Sequence, residues 1–234
     1  MHKSLFVSKA KETKPASPLG KKSTFLNPFS YLIFTKHWKY YECFDNIYID
    51  GIVLAKLASI LLKKKFNRIS FDMTSLAPIV FDYASQHNLS VALVGGEPGI
   101  ADKTAEIFRE KFPGIRFILT RNGFFDTTDS KREFIANILD ANPDVLVVSM
   151  GTPQQEKLIH ELCQAGWDGT AYTSGGFFHQ TASHGVNYYP SIINRLNLRF
   201  LYRMYDEPKL LKRYLFIYPI AILKFISDFI RAPK

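Results

Sequence analysis

The chain has 234 residues, 47% of them apolar and 15% aromatic, which suits one large globular domain or a domain with an appendage. A formal net charge of +9 favours anionic partners, and composition alone does not choose among nucleic acid, acidic lipid and a phosphorylated substrate. The two cysteines, Cys43 and Cys163, form no Cys-x-x-Cys pair and no metal-like Cys/His spacing, which argues for a reduced, cytoplasmic protein.

Residues 1–22 are rich in Lys, Ser and Pro, without periodicity or a long apolar core. They read as a flexible basic tail and not as a secretory leader. "STFLN" and "NIYID" follow as short strands. "GIVLAKLASILLKKK" has helical spacing, with Leu54, Leu57, Leu61 and Leu62 on one face. "RISF" is a short β-like segment, and "TSLAPIVFDYASQHN" reads as a helix started near Pro78.

The next units are more regular. The apolar runs "SVALVGG", "IRFILTRNG" and "DVLVVSMG" each lead into a helix-like run, and "TAYTSGG" is the last strand candidate. Strands alternating with helices predict an α/β fold over residues 23–188, a Rossmann-like parallel sheet flanked by helices. Right-handed crossovers place the Gly turns at the carboxyl edge of that sheet, where open α/β sheets bind ligands. Residues 189–234 break the pattern and read as a helical, basic and aromatic appendage. Its apolar run "YLFIYPIAILKFISDFI" is interrupted by Pro219, Lys224 and Asp228, so it does not read as a membrane span.

Each motif has two readings. In "LVGGEPG", Gly95 and Gly96 either bring backbone N–H groups to a diphosphate or make a tight strand-to-helix turn. In "MGTPQQEK", Pro153 suits the first helical position. Gln155 and Glu156 then either bind sugar hydroxyls or a base, or cap the helix. Asp50 in "YIDGI" and Asp72 in "ISFDMTS" are helix caps or general bases. His179 and His184 have no third ligand at sensible spacing, so no metal site is expected. No Asp-x-Asp occurs, which weakens a Mg²⁺-held sugar nucleotide. Arg203, Lys212 and Arg213 lie among Leu201, Tyr202, Tyr205, Tyr214 and Phe216, as at a bilayer interface or a diphosphate site.

The ordered set is more telling than any member. It runs Asn27-Pro28, Asp50-Gly51, Asp72, Gly95-Gly96-x-Pro98-Gly99, "RNGFF" with Gly123 and Phe124, Gly151-x-Pro153-x-Gln155-Glu156, Gly175-Gly176-x-Phe178 and "LYRMYDEPKLLKRY". From about residue 24 to about residue 216 this resembles the WecG/TagA/CpsF family of bacterial glycosyltransferases (glycosyltransferase family 26). The resemblance implies an inverting transferase that needs neither metal nor other cofactor. It implies a UDP-sugar donor, an N-acetylhexosamine such as N-acetylmannosamine or its uronic acid. The acceptor would be an undecaprenyl-diphosphate-linked saccharide in cell-surface polysaccharide synthesis. Asp72 matches the position of the family's catalytic Asp, Asn27 its Asn in the first strand, and Arg203 and Arg213 two of its basic appendage positions.

The resemblance also implies that the appendage completes the site and docks peripherally on the anionic inner face of the plasma membrane. A homo-oligomer is left open. Three departures fall near the appendage: "NYYP" at Asn187 to Pro190 where Arg-Ala-Pro is usual, Leu198-Arg199-Phe200 where Leu-Glu-Trp is usual, and Leu210 where an Arg is expected.

On this reading Asp72 is the base, and the Gly95-Gly96 turn with Arg203 and Arg213 meets the leaving diphosphate. Gln155 and Glu156 contact sugar, while Gln154 faces solvent. Two rivals stand beside it. A nucleotide-sugar-binding module without chemistry would keep the Gly turns and need no base. A nucleic-acid binder would tile its basic residues over a groove-shaped face, and here they cluster with aromatics instead.

Overall fold

The structure, a computed structural model, describes residues 1–195 and 198–230. Six strands form one parallel sheet: β1 (Lys22–Leu26), β2 (Asn46–Ile49), β3 (Ser90–Gly95), β4 (Arg116–Arg121), β5 (Val145–Ser149) and β6 (Thr170–Thr173), in the order β2-β1-β6-β5-β3-β4. Helices cover both faces, which lets the central strands be apolar on both sides. The two-residue period of the strands divides their side chains between two cores. Leu26, Ile47, Ile49, Val94, Leu146, Val148 and Ala171 face one, and Phe25, Tyr48, Val91, Leu93, Val147 and Tyr172 the other.

The helices are α1 (His2–Lys9), α2 (Pro28–His37), α3 (Ile52–Leu62), α4 (Ala77–Gln86), α5 (Ile100–Lys111), α6 (Thr128–Ala141), α7 (Gln154–Gln164) and α8 (Phe177–His184). The appendage supplies α9 (Ser191–Arg195), α10 (Arg199–Asp206) and α11 (Tyr218–Ile230), with a π-helical turn at Arg213–Ile217. Among the described residues no helix is long and apolar enough to cross a membrane.

The structure departs from expectation in three places. Residues 1–22 are not a free tail. Phe6 on α1 is fully buried, packed edge-on or tilted against Tyr31, Phe34, Phe225 and Phe229. Ala10 bridges Ile47 at the sheet edge, and Gly20 N donates to Thr170 Oγ1 at 2.9 Å. "RISF" forms no strand; Ile69 N reaches Ile49 O at 2.9 Å as an isolated contact, and the segment runs on as loop to α4. The end of the appendage is part of the core: α11 packs on α2 and α3, and Phe225 and Phe229 are buried beside Phe6.

Candidate functional site

Every strand ends at one cleft of ≈ 960 Å³. Asn27 follows β1, Asp50 follows β2, Gly96 follows β3, Gly123 lies beyond β4, Gly151 beyond β5, and Gly175 and Gly176 beyond β6, and all of them line it. This is the carboxyl edge, where the strands stop and the chain is free to offer polar groups. Asn27 is set by a capping box with Ser30, its Oδ1 accepting from Ser30 N at 3.0 Å. Phe124 is exposed on the rim and also lines the cleft.

The Gly95-Gly96 turn is built for close approach. Gly95 has φ +144°, and a Cβ there would lie 2.2 Å from Ser149 O. Gly96 N donates to Ser149 O at 3.1 Å, and Gly123 N to Gly96 O at 2.9 Å. These N–H groups sew β3, β5 and the β4 loop together, so the Gly96 amide, expected at a diphosphate, serves the sheet instead. Gly95 is buried behind the lining, and neither Gly51 nor Pro153 reaches it. Pro153, joined to Thr152 by a cis peptide, is the N-cap of α7, one position before the helix.

Below Gln155 lies a buried network. Glu156 is fully buried, and its Oε1 accepts from Thr24 Oγ1 at 3.0 Å, Thr152 Oγ1 at 3.2 Å and Gln155 Nε2 at 2.9 Å. Its Oε2 has no partner among the described residues. Burial, against those hydrogen bonds, pushes the carboxyl up to about 7. Glu156 therefore sits beneath the cleft and does not line it, contrary to the sugar contact expected. Gln155 does line the cleft, held by Gly175 N donating to its Oε1 at 3.1 Å. Gln154, expected to face solvent, lines the cleft as well.

The carboxylates form an alternating chain with two guanidinium groups. Arg68 Nε lies 3.4 Å from Asp50 Oδ1, and Arg68 Nη2 lies 3.3 Å from Asp72 Oδ2. Arg199 Nη1, from α10, reaches Asp72 Oδ2 at 3.0 Å, and its guanidinium lies 4.7 Å over the Tyr189 ring. Asp72 further accepts from Ser70 Oγ at 2.6 Å, Thr74 N at 2.8 Å and Thr74 Oγ1. Burial would raise Asp72, but Arg199, Arg68, Ser70 and Thr74 outweigh it and hold the carboxyl below the usual range. A carboxylate with five donors has little lone-pair capacity left for a substrate proton. Asp50 differs: its side chain is 38% exposed, opening to the cleft, and it is paired with Arg68. Desolvation raises Asp50 above the usual range, with Arg68 pulling it down and Asp72 pushing it up.

The appendage forms the far wall. Tyr188, Tyr189, Arg203, Asp206, Leu210 and Arg213 line the cleft. Arg203 Nη2 is paired with Glu207 Oε1 at 2.7 Å and passes 3.6 Å from where a Gly176 Cβ would stand. Arg213 lies 4.0 Å over the Phe29 ring. Arg68, Arg199 and Tyr189 were not among the expected site residues. Tyr189, Arg199 and Leu210 had been marked only as departures, and all three lie in or against the wall that meets the cleft. Among the described residues no three His, Cys, Asp or Glu side chains gather as a metal site.

The sequence matches the family described as "Glycosyl transferase WecG/TagA/CpsF family" over residues 11–234. The chain belongs to that family. It is therefore a glycosyltransferase, and the WecG/TagA/CpsF resemblance drawn from the ordered motifs holds. Among its relatives is a Shigella boydii protein named UDP-Gal:alpha-D-GlcNAc-diphosphoundecaprenol beta-1,4-galactosyltransferase, 35% identical over 88% of this chain and 85% of the relative. Another is the Bacillus spizizenii N-acetylglucosaminyldiphosphoundecaprenol N-acetyl-beta-D-mannosaminyltransferase, 30% identical over 77% of this chain and 68% of the relative.

Proposed function

We propose that this glycosyltransferase moves a sugar from a UDP donor, with inversion, onto N-acetylglucosamine linked to undecaprenyl diphosphate. The observation that carries this is the acceptor common to both relatives' names, combined with a cleft that sets the accessible Asp50 opposite Arg203 and Arg213. UDP-galactose is the first donor, on the higher identity and wider coverage of the galactosyltransferase. N-acetylmannosamine, the N-acetylhexosamine that the sequence suggested, is the second, favoured by the other relative. Sugar nucleotides of galactose are α-linked, so a β product requires inversion.

Inversion needs one displacement. The acceptor hydroxyl attacks the anomeric carbon from the face opposite UDP, its proton passes to a base, and the bond to the UDP oxygen breaks. Asp50 is the base we propose, since of the two aspartates that share Arg68 it is the more exposed, 38% against 14%. Asp72 instead anchors Arg68 and Arg199. The leaving UDP gathers negative charge, which Arg203 and Arg213 meet without a metal. Gln155 and Asn27 are placed for hydroxyls or base. The exposed Leu215, Phe216, Ile220 and Leu223, with Lys212 and Lys224 among them, support docking of the appendage on an anionic inner-leaflet surface.

The test is purified protein with each UDP-sugar and a short-chain polyprenyl-diphosphate N-acetylglucosamine, with and without EDTA, read by mass spectrometry. A product heavier by one hexose supports galactose, and by one N-acetylhexosamine the second donor. Donor binding with no UDP release on adding acceptor would favour the non-catalytic module.

A further inference from the structure

Arg199 belongs to the appendage and reaches Asp72 and Thr74 in the body. Its Nη1 reaches Asp72 at 3.0 Å, its Nη2 reaches Thr74 Oγ1, and its plane covers Tyr189. On the other side of Asp72 stands Arg68, which divides its guanidinium between Asp72 at 3.3 Å and Asp50 at 3.4 Å. The body alone thus holds two carboxylates and one shared arginine at this point. The second arginine arrives only with α10.

We propose that Arg199 is a positioning residue that, through Asp72 and Arg68, sets the charge of Asp50. By satisfying Asp72 from the other side it lets Arg68 share itself with Asp50 instead of serving Asp72 alone. This rests on the assignment of Asp50 as the base. Removing Arg199 lets Asp72 draw Arg68 to itself, and Asp50 then keeps the repulsion of Asp72 with less compensation. A carboxyl in that position holds its proton to higher pH and is idle as a base.

The groups that face Asp50 from each packed element are few. They are Arg68 and Asp72 from the loop before α4, Arg199 and Arg203 from α10, Tyr189 from the start of the appendage, and Tyr214 and Tyr218 from the π turn and α11. Burial holds the three phenols above their ordinary range, so they stay neutral where a carboxylate titrates.

The experiment is the pH profile of kcat/KM for full-length wild type, Arg199→Gln, Arg199→Lys and Asp72→Asn, with thermal unfolding and donor binding as controls. In Arg199→Gln the acid limb moves to higher pH by about one unit, and activity recovers toward the alkaline side. Arg199→Lys, which keeps the charge, restores the limb. Asp72→Asn, which removes the like charge and releases Arg68, moves the limb to lower pH. A limb in Arg199→Gln that superimposes on wild type overturns the proposal, because a purely structural role lowers activity at all pH values alike. Should Arg199→Gln not fold, Asp72→Asn decides, and an unmoved limb there overturns it equally. Asp50→Asn is run in parallel. If it stays active, the base assignment fails; if it is inactive while the Arg199→Gln limb is unmoved, only the positioning role fails.

Discussion

Tyr31 donates a hydrogen bond to Asp228 at 2.8 Å, joining the second helix of the body to the last helix of the appendage. His2 Nε2 lies 3.2 Å from the same carboxylate, and Lys224 contacts it from one helical turn back. Burial would raise Asp228, but Lys224, Tyr31 and His2 prevail and hold it below the usual range. Its contribution is complete above the ordinary aspartate range and is lost as pH falls through the lowered value. Asp228→Asn is expected to cost about 2 kcal/mol at pH 7. The gap from wild type, measured by urea unfolding, should narrow below about pH 4.

Glu156 has the opposite sign. Its folded value of about 7 lies above the ordinary glutamate range, so the folded state binds the extra proton. Stability from this group is full below the unfolded value and is lost as pH rises toward 7 and through it. Glu156→Gln should match wild type near pH 4 and exceed it at pH 8, by up to about 3 kcal/mol. Thermal unfolding at the two pH values checks this. Donor KM should change little, and a large rise would restore Glu156 to the sugar site.

The two aspartates separate by role. Asp50→Asn should lower kcat about a thousandfold, with UDP-sugar affinity kept. Asp72→Asn should retain more activity than Asp50→Asn at every pH. Isothermal titration with the donor, beside steady-state kinetics, distinguishes them. Greater loss in Asp72→Asn would return the base role to Asp72.

Gly95→Ala places a methyl group 2.2 Å from Ser149 O, a backbone atom that no rotamer change can move aside. The positive φ adds strain of about 1–3 kcal/mol. Loss of soluble protein, or a fall in Tm larger than that for Gly99→Ala, is expected. At Gly99 a Cβ meets nothing within 4 Å, so its left-handed φ alone carries the cost there.

The sheet and its carboxyl-edge turns were legible because a buried strand followed by Gly and an amphipathic run is a local pattern, as at "VALVGG" and "VLVVSMG". Part of the candidate cleft's lining was legible as an ordered set of motifs, among them Asn27, Asp50, Gln155, Arg203 and Arg213. What stayed hidden was set by contacts distant in sequence. Phe6 reads as one aromatic in a polar tail until Phe225 and Phe229 cover it. Glu156 reads as a first-turn helix charge until Thr24, over a hundred residues earlier, is found against it. Arg199 reads as an oddity until Asp72 is seen to face it.

The burial of Phe6 between the first helices and the last has a consequence for synthesis. Domains fold from their amino-terminal side as they leave the ribosome. Here α1 is made long before α11, which covers it, so Phe6 and the seat for Asp228 stay uncovered until α11 emerges. A nascent chain thus carries an apolar patch, open to chaperones, that vanishes only once the arginine wall of the cleft has also been made. Products that end before α11 would keep that patch exposed.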